Sequence, residues 1–202
     1  QQHGPDFYTT YSGNFELYII LCAKAVKDTS LENKNVYPVM ADMLLDGDRW
    51  LYHGGEQTPL VQGRQMGDKY TAPAMYETSY TKTIRMLAQI YPEKSEELMN
   101  FKNHIERNEK NKASVKGNKY FWCSDIMIHK RDGYSVVTRL SSEKTRSTES
   151  NAAQNRKGEY VGFGTLFLTT NRNSQNPYRV FFDWGKLPGV TGPDKVSEIS
   201  QS

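Results

Sequence analysis

The chain has 202 residues, 37% of them hydrophobic and 24% charged, with a formal net charge of +3. That composition supports one ordinary domain or two small ones and excludes a disordered chain. No apolar run approaches the ~18 residues of a membrane span, and the first residues lack the basic and apolar regions of a secretion signal. The mild positive charge suits a polyanionic partner. Lys and Arg are nevertheless interspersed with Glu and Asp, as in EKSEE and RNEKNK, so the charge reads as solvated surface and not as a nucleic-acid face.

In chain order, apolar residues recur at Phe15, Tyr18, Ile19, Cys22 and Val26, which predicts a helix that starts near Gly13 or Asn14 and buries that stripe. A second helix is expected over 39–45, ending at Gly47. Ile84, Leu87, Ala88 and Tyr91 repeat the pattern before Pro92, and Leu98, Phe101 and Ile105 continue it in a charged segment that is either helix or connector. After the polar run 108–118 the period shortens. Segments 120–129, 134–140, 160–169 and 178–184 are rich in aromatic and branched residues and predict antiparallel strands, with Asp132-Gly133 as the turn between the first two. The expected organisation is therefore α+β, with a helical part over 1–109 and an antiparallel sheet part over 110–202.

Three residues carry the chemistry. His3, in Gln2-His3-Gly4-Pro5, precedes Tyr11 by eight residues, and Gly63-Arg64 follows well downstream. An imidazole, a phenol and a guanidinium form a proton-transfer set with no metal and no serine nucleophile. A phenol has an ordinary pKa of about 10, so Tyr11 acts as a base near neutrality only if a cation such as Arg64 favours its phenolate. A lone His or Tyr near a chain start is usually packing or surface, and the case rests on the combination. Cys22 and Cys123 belong to no CxxC or His/Cys cluster and read as small buried residues. Trp122 and Trp184 read as packing, although Trp50, Trp122 and Trp184 are alternatively stacking platforms for sugar rings. His53, in Tyr52-His53-Gly54-Gly55, reads as loop surface, and Pro188-Gly189 as a tight turn with a structural role.

Five segments occur in an order that resembles the polysaccharide lyases of the chondroitin AC lyase, hyaluronate lyase and xanthan lyase family: QQHGPDFYTTYSGNF, LVQGRQMG, KYFWCSDIMIHKR, RLSSEKTRSTESNAAQNRKGEYVGFGTL and DWGKLPGVT. Together they span residues 1–192. The resemblance implies the C-terminal helices of an incomplete (α/α) toroid followed by the first strands of an antiparallel β-sandwich, with a catalytic cleft between the two. It also implies that the chain is a central portion of a longer secreted or periplasmic enzyme, monomeric, whose upstream part supplies further sugar contacts. No cofactor, metal, nucleic acid or membrane is implied; the partner is an acidic polysaccharide.

The implied reaction is β-elimination on a uronic-acid-containing polymer, a glycosaminoglycan such as chondroitin sulfate or hyaluronan. The resemblance assigns Tyr11 as base and returning acid, His3 as its companion at the uronate, Arg64 as the fork of donors holding tyrosine and sugar, and Glu149 as the group orienting His3 or Arg64. Asn155, Asn151, Lys69 and Tyr8 are candidate substrate contacts, and Tyr8 is a second candidate for the base. Three departures from the family pattern stand out. Ser12 separates Tyr11 from Gly13, Asp68 occupies the place of a second arginine with Lys69 beside it, and Asn151 follows Glu149 by two residues instead of three. The alternative from another class is a catalytically inactive relative that binds acidic glycans. A hydrolase would need a carboxylate pair that does not stand out in the sequence.

Overall fold

A computed structural model describes the backbone of residues 8–61, 74–107, 113–143, 145, 158–170 and 183–192, and their side chains except those of 8–15, 56, 74–79 and 107. Helices come first. α1 spans Tyr8–Ala25, beginning earlier than Gly13. Its buried face runs through Glu16, Ile20 and Ala23, whereas Tyr18 and Cys22 face solvent. Of the stripe expected through Phe15, Tyr18, Ile19, Cys22 and Val26, Ile19 packs against the core but Tyr18 and Cys22 point away from it, because α1 meets its helical neighbour through the 16, 20, 23 spacing; the Phe15 side chain lies outside the described residues.

α2, Val36–Asp42, continues into a π-helical turn at Met43–Gly47, and the two bury Tyr37, Met40, Ala41, Leu44 and Leu45. The chain then makes a tight helical turn at Asp48–Leu51, a two-strand hairpin of β1, Tyr52–His53, and β2, Glu56–Gln57, and a second tight turn at Pro59–Val61. α3 is Ala74–Ile90 and α4 is Ser95–Arg107, so the charged segment is a helix. Leu98, Phe101 and Ile105 form its buried edge, and Glu96 and Glu97 sit in its first turn, where the helix dipole favours negative charge. α1 and α4 both pack on α3.

The second part is a four-stranded antiparallel sheet in the order β3 (Gly117–Phe121), β4 (Ile126–Arg131), β5 (Tyr134–Leu140), β6 (Phe163–Thr169). The strand expected over 120–129 is in fact the end of β3, a turn at 122–125 and the start of β4. Asp125 causes the break. It holds a left-handed φ of 51°, and its carboxylate accepts hydrogen bonds from Tyr120 Oη, Ser142 Oγ and Thr145 Oγ1 at 2.7, 2.6 and 2.7 Å. The segment expected as a strand from residue 160 opens with a helical turn at Gly158–Gly162. Residues 178–182 of the last expected strand lie outside the described residues, and Trp184 stands in a turn.

Strand alternation sorts the sheet into two faces. Phe121, Ile126, Ile128, Lys130, Ser135, Val137, Thr165, Phe167 and Thr169 are buried, whereas Tyr120, Met127, Leu166 and Leu168 are exposed on the opposite face. Trp122 is 53% exposed, contrary to the packing role expected of it, because it heads the 122–125 turn. Trp184 is partly buried against the core, and Trp50 is buried. Both cysteines are free thiols. Cys22 is exposed and Cys123 half-buried, so the expectation that both are buried fails: one lies on the solvent side of α1 and the other in the turn. Among the described residues no helix is long and apolar enough to cross a membrane.

The Leu187–Val190 segment closes on itself through Val190 N donating to Leu187 O at 3.2 Å, with Gly189 at φ +85° following Pro188. This turn also receives the Leu166 amide of β6 on Pro188 O at 2.8 Å, so it docks against the sheet edge. A Cβ on Gly189 would lie 2.5 Å from Gly164 O, whereas one on Gly133, at φ +91°, would meet nothing within 4 Å. Gly133→Ala should therefore cost about 1–2 kcal/mol from backbone strain alone. Gly189→Ala should cost at least about 1 kcal/mol more, because a backbone oxygen must move. Urea unfolding of the two variants side by side measures the difference.

Candidate functional site

Among the described residues, the 46–61 segment joins helices to sheet, and the inward face of the sheet grips it through charged side chains. Lys130, in phase with Ile126 and Ile128 on β4, is fully buried and donates to Arg49 O at 3.1 Å and to Tyr52 O. Ser114 Oγ donates to the same Arg49 carbonyl at 3.2 Å. Arg139, in phase with Ser135 and Val137 on β5, donates from Nη1 to Leu60 O at 2.8 Å. Lys119 of β3 pairs with Asp46 at 2.5 Å. Burial holds the Lys130 amine well below the ordinary lysine range, with the Arg49 charge a second cause.

His53 lies inside this seam and not on a loop surface: it is 2% exposed, because its hairpin is covered on the side that the Gly54-Gly55 signal suggested would be open. Burial first, then the charges of Lys130 and His104, lowers its pKa to about 4, so it is a neutral imidazole near pH 7. Neither of its ring nitrogens has a hydrogen-bond partner among the described residues.

A second polar cluster lies between α1 and α3. Glu16 is fully buried in the apolar face of α1, and Asp48 accepts a 2.8 Å hydrogen bond from Tyr80 Oη of α3. Tyr80 stacks on Tyr52 with ring centroids 5.7 Å apart, and Phe101 of α4 meets both rings edge-on at 6.2 and 5.8 Å. Burial raises both carboxyl pKa values above the ordinary range, and the Asp48 charge raises that of Glu16 further. At neutral pH this pair holds protons that exposed carboxylates release.

The residues expected to carry catalysis fall differently. Tyr8 and Tyr11 stand one turn apart at the start of α1, so their backbones lie on one side of the helix; their side chains are outside the described residues. His3, Arg64, Lys69, Glu149, Asn151 and Asn155 also lie outside the described residues. Lys130, Arg139, Glu16 and Asp48 were not singled out from the sequence. Lys130 and Arg139 do carry a signal, since each continues the inward phase of its strand with a cation where an apolar residue belongs.

A model of polysaccharide lyase family 8, super-sandwich domain, matches residues 116–201. Chondroitinase-AC of Pedobacter heparinus is 30% identical over 78 residues, which make up 39% of this chain and 11% of that enzyme. The same fold is seen in a solved chondroitinase AC lyase, with TM-score 0.81 and 21% identity over 100% of this chain and 30% of that one. A Paenibacillus xanthan lyase gives 0.75 and 16% over 91% of this chain and 20% of that one. The Streptomyces coelicolor chondroitin AC lyase, in complex with chondroitin sulphate, gives 0.72 and 16% over 91% and 30%. The chain thus spans less than a third of the length of these relatives.

The buried carboxyl pair makes stability depend on pH with a sign opposite to that of surface ion pairs. A carboxyl whose pKa is raised on folding stabilises fully below its unfolded value of about 4, and that contribution is lost as pH rises through the raised value. Glu16→Gln removes the ionisation, so its stability relative to the parent protein should climb by more than about 1.4 kcal/mol between pH 5 and roughly pH 9. Urea midpoints of the two proteins across that range check the sign.

Proposed function

We propose that this chain forms part of a polysaccharide lyase that cleaves a uronic-acid-containing polymer, a glycosaminoglycan of the chondroitin or hyaluronan type, by β-elimination. The observation that carries the reading is a coincidence of two independent signals. The family model matches residues 116–201, while the His3-Gly4-Pro5, Tyr11 and Gly63-Arg64 segments belong to the other part of the chain and occur in the family's order.

In this reading Tyr11, as phenolate, removes the proton at C5 of the uronate. The adjacent carboxylate takes up the charge, the bond from C4 to the bridging oxygen breaks, and a C4=C5 double bond remains. The same phenol then returns the proton to the leaving oxygen, so no water is consumed. Arg64 supplies the positive charge that favours phenolate and fixes the sugar. His3 helps to neutralise the uronate carboxylate, and Glu149 orients His3 or Arg64. Such groups accelerate the reaction only by holding the enolate-like intermediate more tightly than the ground state. Asn155, Asn151, Lys69 and Tyr8 contact the polymer. Tyr8, one turn before Tyr11 on α1, is the alternative base.

The finer architecture belongs to the same proposal. Residues 1–109 form part of an (α/α) toroid, and residues 110–202 open a β-sandwich. The exposed apolar row of Tyr120, Met127, Leu166 and Leu168 supports a second sheet packed on the outer face. A polymeric substrate of this kind does not enter a cell intact, so the reading places the protein in a secreted or periplasmic setting.

The test uses the polypeptide encoded by the full reading frame, offered chondroitin sulfates, hyaluronan and xanthan separately, with ultraviolet absorbance of the unsaturated uronate as readout. Tyr11→Phe should abolish the signal, a loss of at least about a hundredfold, while polymer binding persists. Equal turnover by that variant moves the base to another residue, with Tyr8 first in line. Binding without product in the parent protein selects the inactive glycan-binding reading.

A further inference from the structure

We infer that the β1–β2 hairpin is an acid-released latch: a proton on His53 frees it from the seam between α4 and the sheet. The hairpin is short, with the pairs Tyr52–Gln57 and His53–Glu56 joined by Gly54 and Gly55, whose φ values of 57° and 77° belong to a tight two-residue turn. A strand pair of this size does not hold itself together in water. The Thr58 amide extends it by one bond to Leu51 O at 2.9 Å, and the Lys130 amine fastens it to β4 through Tyr52 O.

His53 is the residue next to that fastened carbonyl, and its ring is buried. The charged groups that act on it come from several elements. Lys130 approaches from β4 and His104 from α4, and both are themselves buried; Arg49, in the preceding turn, acts on Lys130. The acids lie at the margin and are paired. Asp132, after β4, is half exposed and bonds Lys116, while Asp46 pairs with Lys119 and Glu97 with Lys94. Glu56 is the register partner of His53, and its side chain lies outside the described residues.

A neutral imidazole is tolerated in this setting. A second proton would place a cation beside the Lys130 amine and make both ring nitrogens donors, and neither has a partner among the described residues. Burying such a charge unpaired costs more than exposing a hairpin with few bonds of its own. Outside the seam the same ring is solvated and protonates near its ordinary value of about 6.5. Inside it, burial and the neighbouring cations lower that value to about 4. The closing contribution of His53 is therefore fully present above about pH 6.5 and is lost as pH falls from there toward the lowered value. Between pH 7 and pH 5 the ratio of open to closed hairpin should rise by about twentyfold. None of these residues is assigned to the reaction, so the latch stands whichever way the lyase reading falls.

The test compares the polypeptide encoded by the full reading frame with its His53→Gln variant, whose side chain does not titrate. Amide hydrogen exchange is followed at pH 7 and pH 5, each rate divided by its intrinsic value at that pH. Exchange over residues 51–58 should quicken by about twentyfold in the parent protein and by less than about threefold in the variant, while residues 86–90 of α3 keep their protection in both. Exchange of the imidazole C2 hydrogen of His53, read by mass spectrometry across pH, reports the titration in the unsubstituted protein and needs no variant to fold. Its midpoint should lie at least about one unit below 6.5. Equal acid quickening in parent and His53→Gln overturns the inference. So does a His53 midpoint at or above the ordinary value, which would mean that Glu56 or another group supplies a counter-charge. Loss of protection in α3 together with the hairpin makes the response general acid unfolding and also overturns it.

Discussion

A lysine that cannot reach water organises this molecule. Lys130 stands where the strand pattern calls for an apolar side chain, and its amine meets two backbone carbonyls, Arg49 O and Tyr52 O, of the segment that links α2 to the β1–β2 hairpin. Burying an amine costs several kcal/mol unless its donors are used. Buried carbonyls carry a comparable requirement for partners. Each group therefore answers the need of the other, and the pairing is possible only when sheet and helices are docked in this register. An amine with a lowered pKa still carries N–H groups, so the bond does not depend on full protonation. Arg139 repeats the device at Leu60 O, and between them the two cations hold both ends of the 49–60 stretch.

This constraint accounts for the environment on the helical side. With the segment pressed between α4 and the sheet, His53 is buried as a neutral imidazole, and Tyr52 stacks on Tyr80 beneath Phe101. Tyr80 in turn bonds Asp48, and burial, with the Asp48 charge as a second cause, raises the Glu16 pKa within α1. A continuous chain of contacts thus runs from β4 through the hairpin to the helix on which Tyr8 and Tyr11 stand. Along it Tyr80 and Asp48 are hydrogen-bonded to each other, whereas Glu16 and His53 are buried with no hydrogen-bond partner among the described residues.

Much of the architecture is legible in the residues. The helical period of Ile84, Leu87 and Ala88, the buried edge Leu98, Phe101 and Ile105, and the Asp132-Gly133 turn read directly, because packing and propensity agree there. The failures have physical causes. Tyr120 to His129 reads as one strand since aromatic and apolar residues run through it; only Ser124-Asp125 interrupts, and the left-handed Asp125 depends on distant Ser142 and Thr145 for its hydrogen bonds. Tyr18 and Cys22 suggest the wrong face of α1 because the true face includes Glu16, a residue type that sequence reading places at the surface. His53 follows a loop signal whose burial is a tertiary fact. The catalytic reading comes from motif order in segments around His3, Arg64 and Glu149, where type and spacing of residues are informative and their convergence is a matter of folding.

The most direct measurement of the docking constraint is urea unfolding of Lys130→Met, followed by tryptophan fluorescence, to which Trp50 in the seam contributes, and by far-ultraviolet ellipticity. Methionine fills much of the volume but donates nothing to Tyr52 O, whereas Arg49 O keeps its bond from Ser114. Loss of the Lys130 bond to Tyr52 O should cost about 1–3 kcal/mol, with the fluorescence transition moving to lower urea than the ellipticity transition as the seam opens first. A variant as stable as the parent protein or more so, with coincident transitions, would show that the buried amine does not hold the two parts together.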